Sequence, residues 1–257
     1  MKISTGLYFD RATTQLGNVQ GELSKTQQQL STGKQIVKPS DAPDKAALVT
    51  RLESELSRQT GYQDTLKAVN VRLTAEETAL KNTSDVMYRI KELAVQAAND
   101  TLGPQDRQSV ALELSNLKEQ VLSLANSQDS NGNYLFSGSR TGVPAFSKDA
   151  NGRVVYQGDQ ARMKVNVGDS RRMNLNMPGS DIYTRVVRDD GKGSKVGVDF
   201  FQALDDLVTA VKAGDRTHMQ RGIAEVDNLQ NGISEGLGQV GSDLTVVDMQ
   251  TTVLDQV

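Results

Sequence analysis

The sequence predicts a mainly α-helical protein with an inserted antiparallel β module, arranged as an elongated helical rod built from its N- and C-terminal segments. Near both ends of the 257-residue chain, apolar residues recur at alternating spacings of four and three. This spacing keeps one seam of a helix facing a partner helix, as in a coiled coil. Between the ends, the apolar period falls to two, which is typical of strands. Aromatic residues make up only 4% of the chain and Trp is absent, as expected for helix seams built from aliphatic side chains.

The first segment, residues 1–43, is predicted to form an assembly helix and a loop. Residues 10–32 carry apolar side chains at heptad-compatible spacing in a background of Gln and Thr. Gly33 is placed to end this helix in a left-handed conformation. Ser40 or Asp41 in the following loop is placed to cap the next helix. The predicted assembly seam of this segment consists of Leu16, Val19, Leu23 and Leu30.

The second segment, residues 44–133, is predicted to form the N-terminal part of the rod. Residues 44 to about 101 contain no Pro and one Gly, so they predict a single helix of roughly 85 Å. A globular protein of this length has a radius of gyration of only ~18 Å, so this helix must be the long axis of an extended molecule. Gly103 and Pro104 separate it from a third helix, which is predicted to end near Gln128 and to pack antiparallel to the second. The predicted buried stripe of the long helix consists of Leu66, Val69, Leu73, Leu80, Met87, Ile90, Ala94 and Ala97, interrupted by Glu76 and Thr83.

The third segment, residues 134–198, is predicted to be a small antiparallel β module of four to six strands. Valines and methionines alternate with polar residues here, and Gly, Asn and Asp are frequent. Asn151-Gly152 is a strong signal for a two-residue hairpin turn, and Gly168-Asp169 marks a second turn.

The last segment, residues 199–257, is predicted to complete the rod with two helices, the second of which begins after Gly214 and Asp215. This final helix contains five glycines, and each costs about 1 kcal/mol relative to Ala in a helix interior. We therefore expect that its folding is coupled to assembly, and that residues 1–40 and 230–257 are mobile in the isolated subunit. The predicted assembly seam of this segment consists of Ile233, Leu237, Val240, Leu244, Val247 and Leu254.

No arrangement of residues suggests catalysis, a cofactor or a metal ion. The chain has no Cys, and its only His, His218, is expected to be solvated in the first turn of a helix. Residues 129–133 resemble the start of an EF-hand loop, but Tyr134 and Arg140 stand where Gly and Glu are required, so a polar turn is expected. A net charge of −3 gives no electrostatic reason to bind nucleic acid or an anionic membrane. There is no apolar run of about 18 residues to span a bilayer, and the first residues lack the apolar stretch of a secretory signal peptide.

Several motifs resemble those of bacterial flagellins and flagellar hook-associated proteins. Residues 30–34 (Leu-Ser-Thr-Gly-Lys) and 39–43 (Pro-Ser-Asp-Ala-Pro) are similar to the N-terminal signature of this superfamily, and residues 91–99 are similar to a segment of its long helix. Residues 131–138, which end in Phe-Ser-Gly, and residues 156–159 (Tyr-Gln-Gly-Asp) resemble the hook-associated members more closely than the flagellins.

The resemblance implies a structural role at the junction between hook and filament of the bacterial flagellum, outside the cell. It implies a ring of copies, joined by coiled-coil terminal helices, between a layer of hook-associated protein 1 and the flagellin filament. Export through the flagellar type III channel without a cleaved signal, with the possible help of a chaperone, is also implied. Family members usually continue through a further terminal helix, so for a chain ending at Val257 we expect either additional residues or incomplete terminal pairing.

Two alternative functions stay open at this point. The helical signatures also fit a flagellin or a minor filament subunit. A function of another class would be a secreted adhesin or enzyme with a site on the loops of residues 139–198, since loops on a β scaffold often bind ligands.

Overall fold

The computed structural model describes residues 3–37, 42–99, 102–189 and 195–256, and the chain divides into two compact units, residues 1–60 and 61–257. Its helices and strands, in chain order, are α1 (Ile3–Thr32), α2 (Pro43–Ala97), α3 (Pro104–Ala125), β1 (Phe146–Lys148), β2 (Val154–Tyr156), β3 (Lys164–Asn166), β4 (Arg172–Asn174), α4 (Gly179–Ile182), β5 (Val186–Asp189), β6 (Lys195–Val198), α5 (Phe200–Ala213) and α6 (Arg216–Asp255). The predicted class, mainly α with antiparallel strands between helices, is confirmed. In the described ranges, no helix is long and apolar enough to cross a membrane.

The first unit contains α1 and the beginning of α2. Helix α1 starts at Ile3, earlier than the predicted residue 10, because no Pro interrupts its first turns and Leu7 is a good helix former. It ends as predicted at Gly33, whose φ of 64° is the left-handed conformation that only Gly adopts without strain. The predicted caps of α2, Ser40 and Asp41, lie outside the described residues.

The second unit is built on the rest of α2 together with α3, α5 and α6. The predicted stripe of α2 is buried throughout, including Glu76 and Thr83. Helix α6 runs antiparallel along α2, since the start of α6 contacts the end of α2. Three polar contacts define this register: Lys91 to Asp227 at 2.6 Å, Ser84 to Gln230 at 2.7 Å, and Gln63 to Asp255 at 3.2 Å.

The strands form three separate antiparallel hairpins, β1–β2, β3–β4 and β5–β6. A hairpin turn forms at the predicted place, with a φ of 78° at Gly152, but the prediction of a two-residue turn is wrong. The Asp149 amide donates to the Arg153 carbonyl oxygen at 2.8 Å, so the loop spans residues 150–152, and Asn151 lacks the positive φ that a two-residue turn requires. A single module of paired strands does not form, because strands of three or four residues offer few backbone groups for further pairing and the hairpins attach to helices instead. One contact for each hairpin shows this attachment: Lys148 to Glu119 of α3, Arg171 to Gln250 of α6, and Arg188 to Glu225 of α6.

Three of the five glycines in α6 lie where another part of the same chain approaches closely. A Cβ atom at Gly222 would lie 2.8 Å from Leu207 of α5, and one at Gly232 would lie 2.9 Å from Thr184. Gly236 is similarly close to Ile182 of α4, at 3.2 Å. Packing within the chain therefore accounts for these three glycines without a partner subunit. Around Gly238 and Gly241, no heavy atom of the described chain lies within 4 Å of the added Cβ.

Candidate assembly surface

The predicted seam of α1 is a continuous row of exposed apolar side chains. Leu16, Val19 and Leu23 are 62%, 59% and 58% exposed, and Leu30 is 79% exposed. The row extends toward the N-terminus through Phe9, which lies seven residues before Leu16, is 69% exposed and was not included by the sequence analysis. Exposed apolar rows of this kind mark surfaces that bind another protein segment.

The predicted seam of α6 lies mainly within the core of the second unit. Ile233, Val240 and Val247 are fully buried. Leu237, Leu244 and Leu254 are partly buried and pack against the same core. The two halves of the predicted seam therefore differ, because the chain itself covers much of the C-terminal half.

Helix α6 also carries exposed apolar residues that the sequence analysis missed. Met249 and Val253, four residues apart on one face, are each 51% exposed. They lie off the four-and-three ladder, so heptad spacing could not identify them. An apolar pair at a spacing of four in the final turns was the only signal available.

The two motifs that resemble hook-associated proteins meet in one hydrogen-bonded cluster. The Tyr156 hydroxyl lies 3.0 Å from the Phe136 carbonyl oxygen and 2.8 Å from that of Asp159. The Asp159 carboxylate accepts hydrogen bonds from the Ser139 hydroxyl at 2.5 Å, the Ser139 backbone amide at 2.8 Å and the Ala161 amide at 3.0 Å. Those from Ser139 are the main reason that the pKa of Asp159 lies below its ordinary 3.8. Burial raises the pKa of Tyr156 to about 12, so its hydroxyl stays a donor at any physiological pH.

The glycines of these motifs are required by the same cluster. Gly138 has a φ of 70°, and a Cβ atom there would lie 2.1 Å from the Asp159 carboxylate. A Cβ atom at Gly158 would lie 2.5 Å from the Tyr156 hydroxyl. Contacts this short are sterically impossible, so the motif residues are explained by packing of the loops against each other.

A cleft of about 620 Å³ next to this cluster is the place where an adhesin or enzyme site would be expected. Aromatic side chains such as those of Phe146 and Tyr183 line the cleft, together with Arg185 and Asp199, which form an ion pair at 2.6 Å. Asp199 is the one carboxylate in the described lining, and neither a second carboxylate nor an imidazole stands beside it or beside the hydroxyls of Ser180 and Thr184 to act as its acid or base partner. Across the described ranges, no three acidic or His side chains cluster closely enough to hold a metal ion.

The other candidate residues have structural roles. His218 is exposed, and its Nδ1 lies 2.5 Å from the carboxylate of Asp215, which caps α6. Asp129 accepts hydrogen bonds from the backbone amides of Asn131 and Asn133 at 2.8 and 2.9 Å, which makes residues 129–133 the polar turn that the sequence predicts.

Comparison with known proteins identifies flagellar relatives. The sequence profile described as the bacterial flagellin N-terminal helical region matches residues 2–141, which is more than half of the chain. Flagellar hook-associated protein 3 of Escherichia coli K12 is 29% identical over 248 residues, covering 93% of this chain and 77% of that protein. Flagellin FlaB1 of Treponema pallidum is 25% identical over 237 residues, with coverages of 91% and 78%. The crystal structure of flagellar hook-associated protein 3 from Legionella pneumophila superposes with a TM-score of 0.75, covering 81% of this chain and 95% of that one at 16% identity, so the two share a fold.

Proposed function

Because the chain belongs to the family of the bacterial flagellin N-terminal helical region, we propose that it is a structural subunit of the flagellum that joins the hook to the filament. The observation that carries this proposal is the exposed seam of α1 on a chain 29% identical to a hook-associated protein 3. A helix with a long uncovered apolar row is suited to hold subunits together. Its role is structural rather than catalytic.

The seam of α1 binds helices of neighbouring subunits. In this proposal, copies of the chain associate in a ring through Leu16, Val19, Leu23 and Leu30, with the partly buried Leu237, Leu244 and Leu254 of α6 contributing at the rim of the contact. Hook-associated protein 1 lies on one side of the ring and flagellin on the other. Apolar burial between helices supplies the free energy of this contact, at about 25 cal/mol per Å².

The same seam needs protection before assembly. A row of exposed leucines promotes aggregation in the cytoplasm, so an export chaperone that covers α1 is a fitting partner. The subunit then leaves through the flagellar export channel without a cleaved signal and functions outside the cell. No role for nucleic acid or membrane binding is proposed, because the net charge of −3 favours neither.

Electron microscopy of gold-labelled flagella tests the proposal and separates it from the flagellin alternative. An antibody against the chain should label one narrow band between hook and filament, and deletion of the gene should release unpolymerised flagellin into the medium. Label along the whole filament, with less filament mass after deletion, would instead identify a filament subunit. Label confined to the cell surface would exclude both functions.

A further inference from the structure

The carboxyl group of Glu76 is fully buried in the second unit, where α2, α6 and the β3–β4 hairpin meet. Glu76 on α2 is 0% exposed, and neither of its oxygens has a hydrogen-bond partner among the described residues. An ionised carboxylate in such a place is costly, since it has lost its water, and the neighbouring Arg72 guanidinium and Met177 backbone amide form no hydrogen bond of normal geometry with it. The protonation state of Glu76 therefore affects how well these elements hold together.

The nearest cation, Arg72, is already engaged by other groups. Its Nη2 donates to the Leu135 carbonyl oxygen at 2.9 Å, and its Nη1 lies 3.6 Å from the carboxylate of Asp129. Partial burial raises the pKa of Asp129, but hydrogen bonds from Asn133 and Asn131 outweigh this and lower it, so Asp129 is ionised. Arg72 and Asp129 together are neutral, and a charged Glu76 would leave one negative charge without compensation. The Nε of Arg72 lies 3.4 Å from Glu76, outside hydrogen-bond geometry.

A small cavity adjoins the carboxyl group of Glu76. The centre of a water molecule can occupy a volume of about 10 Å³ inside this cavity, which is close to the space that one bound water requires. The charged groups that line it are Arg162, which precedes β3 and pairs with Asp181 at 2.7 Å, and Asp243 of α6. Asp243 repels a charge on Glu76 and further favours its neutral form. The remaining polar lining consists of Asn174, Asn176 and Gln239.

We propose that Glu76 keeps its proton in the folded protein and acts as a pH-sensitive lock, so that losing the proton weakens the attachment of the β3–β4 hairpin to α2 and α6. Burial is the main cause that raises the pKa of this carboxyl group from 4.5 to about 8. Arg72 and the Met177 backbone amide act in the opposite direction and offset only part of the shift. At neutral pH the lock is closed, and it opens in mildly alkaline solution.

The effect on stability has a definite sign. Below pH 4.5, Glu76 is protonated in both the folded and the unfolded chain, and its contribution to stability is fully present. Between pH 4.5 and about 8, only the unfolded chain has released the proton, so the unfolding equilibrium constant rises about tenfold per pH unit. Above that range the favourable contribution is lost.

Urea unfolding of the full chain at several pH values tests this inference. Glu76→Gln keeps the shape of the neutral acid and cannot ionise, so between pH 6 and pH 8 the unfolding constant of the wild type should rise roughly 50-fold relative to that of the variant. The matched control is Glu235→Gln at an exposed position of α6. The ratio of the wild-type unfolding constant to that of this control should change less than about twofold between pH 6 and pH 8. Equal pH dependence of the wild type and Glu76→Gln would overturn the proposal.

Two further measurements keep the test decisive if the variant folds poorly. Carboxyl ¹³C NMR of the wild-type protein should show one Glu that titrates well above pH 6, and titration of every Glu near 4.5 would refute the proton assignment. At pH 8.5, amides of residues 164–176 should exchange faster in the wild type than in Glu76→Gln. Faster exchange spread evenly over the unit would refute the role in hairpin attachment.

Discussion

Replacing Leu16 and Leu23 with Ala tests whether the exposed seam of α1 holds subunits together. Leu and Ala differ by three carbons, which are worth about 2.4 kcal/mol on complete burial. These leucines are 62% and 58% exposed, so a partner helix can still bury more than half of each side chain. That burial is worth about 1.4 kcal/mol per Leu relative to Ala. The double substitution should therefore weaken the contact by about 3 kcal/mol, or roughly 100-fold in the association constant.

The assay measures how much purified chain sediments with isolated flagellar fragments that lack it. The matched control carries Asn18→Ala and Gln28→Ala, two exposed positions that lie away from the seam at 100° per residue. Both double variants should keep the thermal stability of the wild type, since Ala is the strongest helix former and no buried group is lost. The reasoning fails if the seam variant binds like the wild type, if the control binds as weakly as the seam variant, or if the seam variant loses helix content.

Three further predictions concern the second unit. Gly138→Ala should lower the free energy of unfolding by about 3 kcal/mol or more, because its new methyl group collides with Asp159, whereas Gly142→Ala, at an open position, should change it by less than about 0.5 kcal/mol in urea titrations. Gly238→Ala should stabilise the isolated chain by about 1 kcal/mol, whereas Gly232→Ala should destabilise it by about 2 kcal/mol in thermal melts; stabilisation by both would contradict the packing described for α6. Because the pKa of Asp159 is lowered by folding, its ionised carboxylate stabilises the folded protein above pH 3.8, and this stabilisation is lost as the pH falls through the lowered pKa. Asp159→Asn should therefore be less stable than the wild type at pH 6, and the two proteins should become similar in stability in stronger acid. A constant gap in urea midpoints from pH 6 to pH 2 would refute this.

The helices were predictable because their ends depend on local chemistry. Gly33 and Gly214 adopt the left-handed conformation that ends a helix, and Pro104 begins α3 immediately after Gly103. The early start of α1 at Ile3 was not predicted, because the apolar ladder that placed this helix was followed only from Leu16 onward. The separation of the strands into three hairpins was not predictable either, since strand pairing beyond a hairpin depends on tertiary contacts that a period of two does not encode.

The candidate surface was predictable only in part. Heptad spacing identifies which side of a helix is apolar, but it does not reveal what covers that side. Leu23 and Val240 occupy similar ladder positions, yet one is 58% exposed and the other is completely buried. In the sequence, Glu76 appeared only as a polar interruption of an apolar stripe. Its burial and its protonation depend on residues from distant parts of the chain, such as Asp129 and Asp243, which heptad spacing does not bring together.

The cluster that joins Gly138, Tyr156 and Asp159 has a consequence for how proteins of this type are recognised from sequence. Its residues interlock with one another and leave no room for a different side chain at Gly138. Packing inside the chain alone thus requires these residues. The short motif therefore identifies how the loops are built and does not by itself identify the molecule to which the protein attaches.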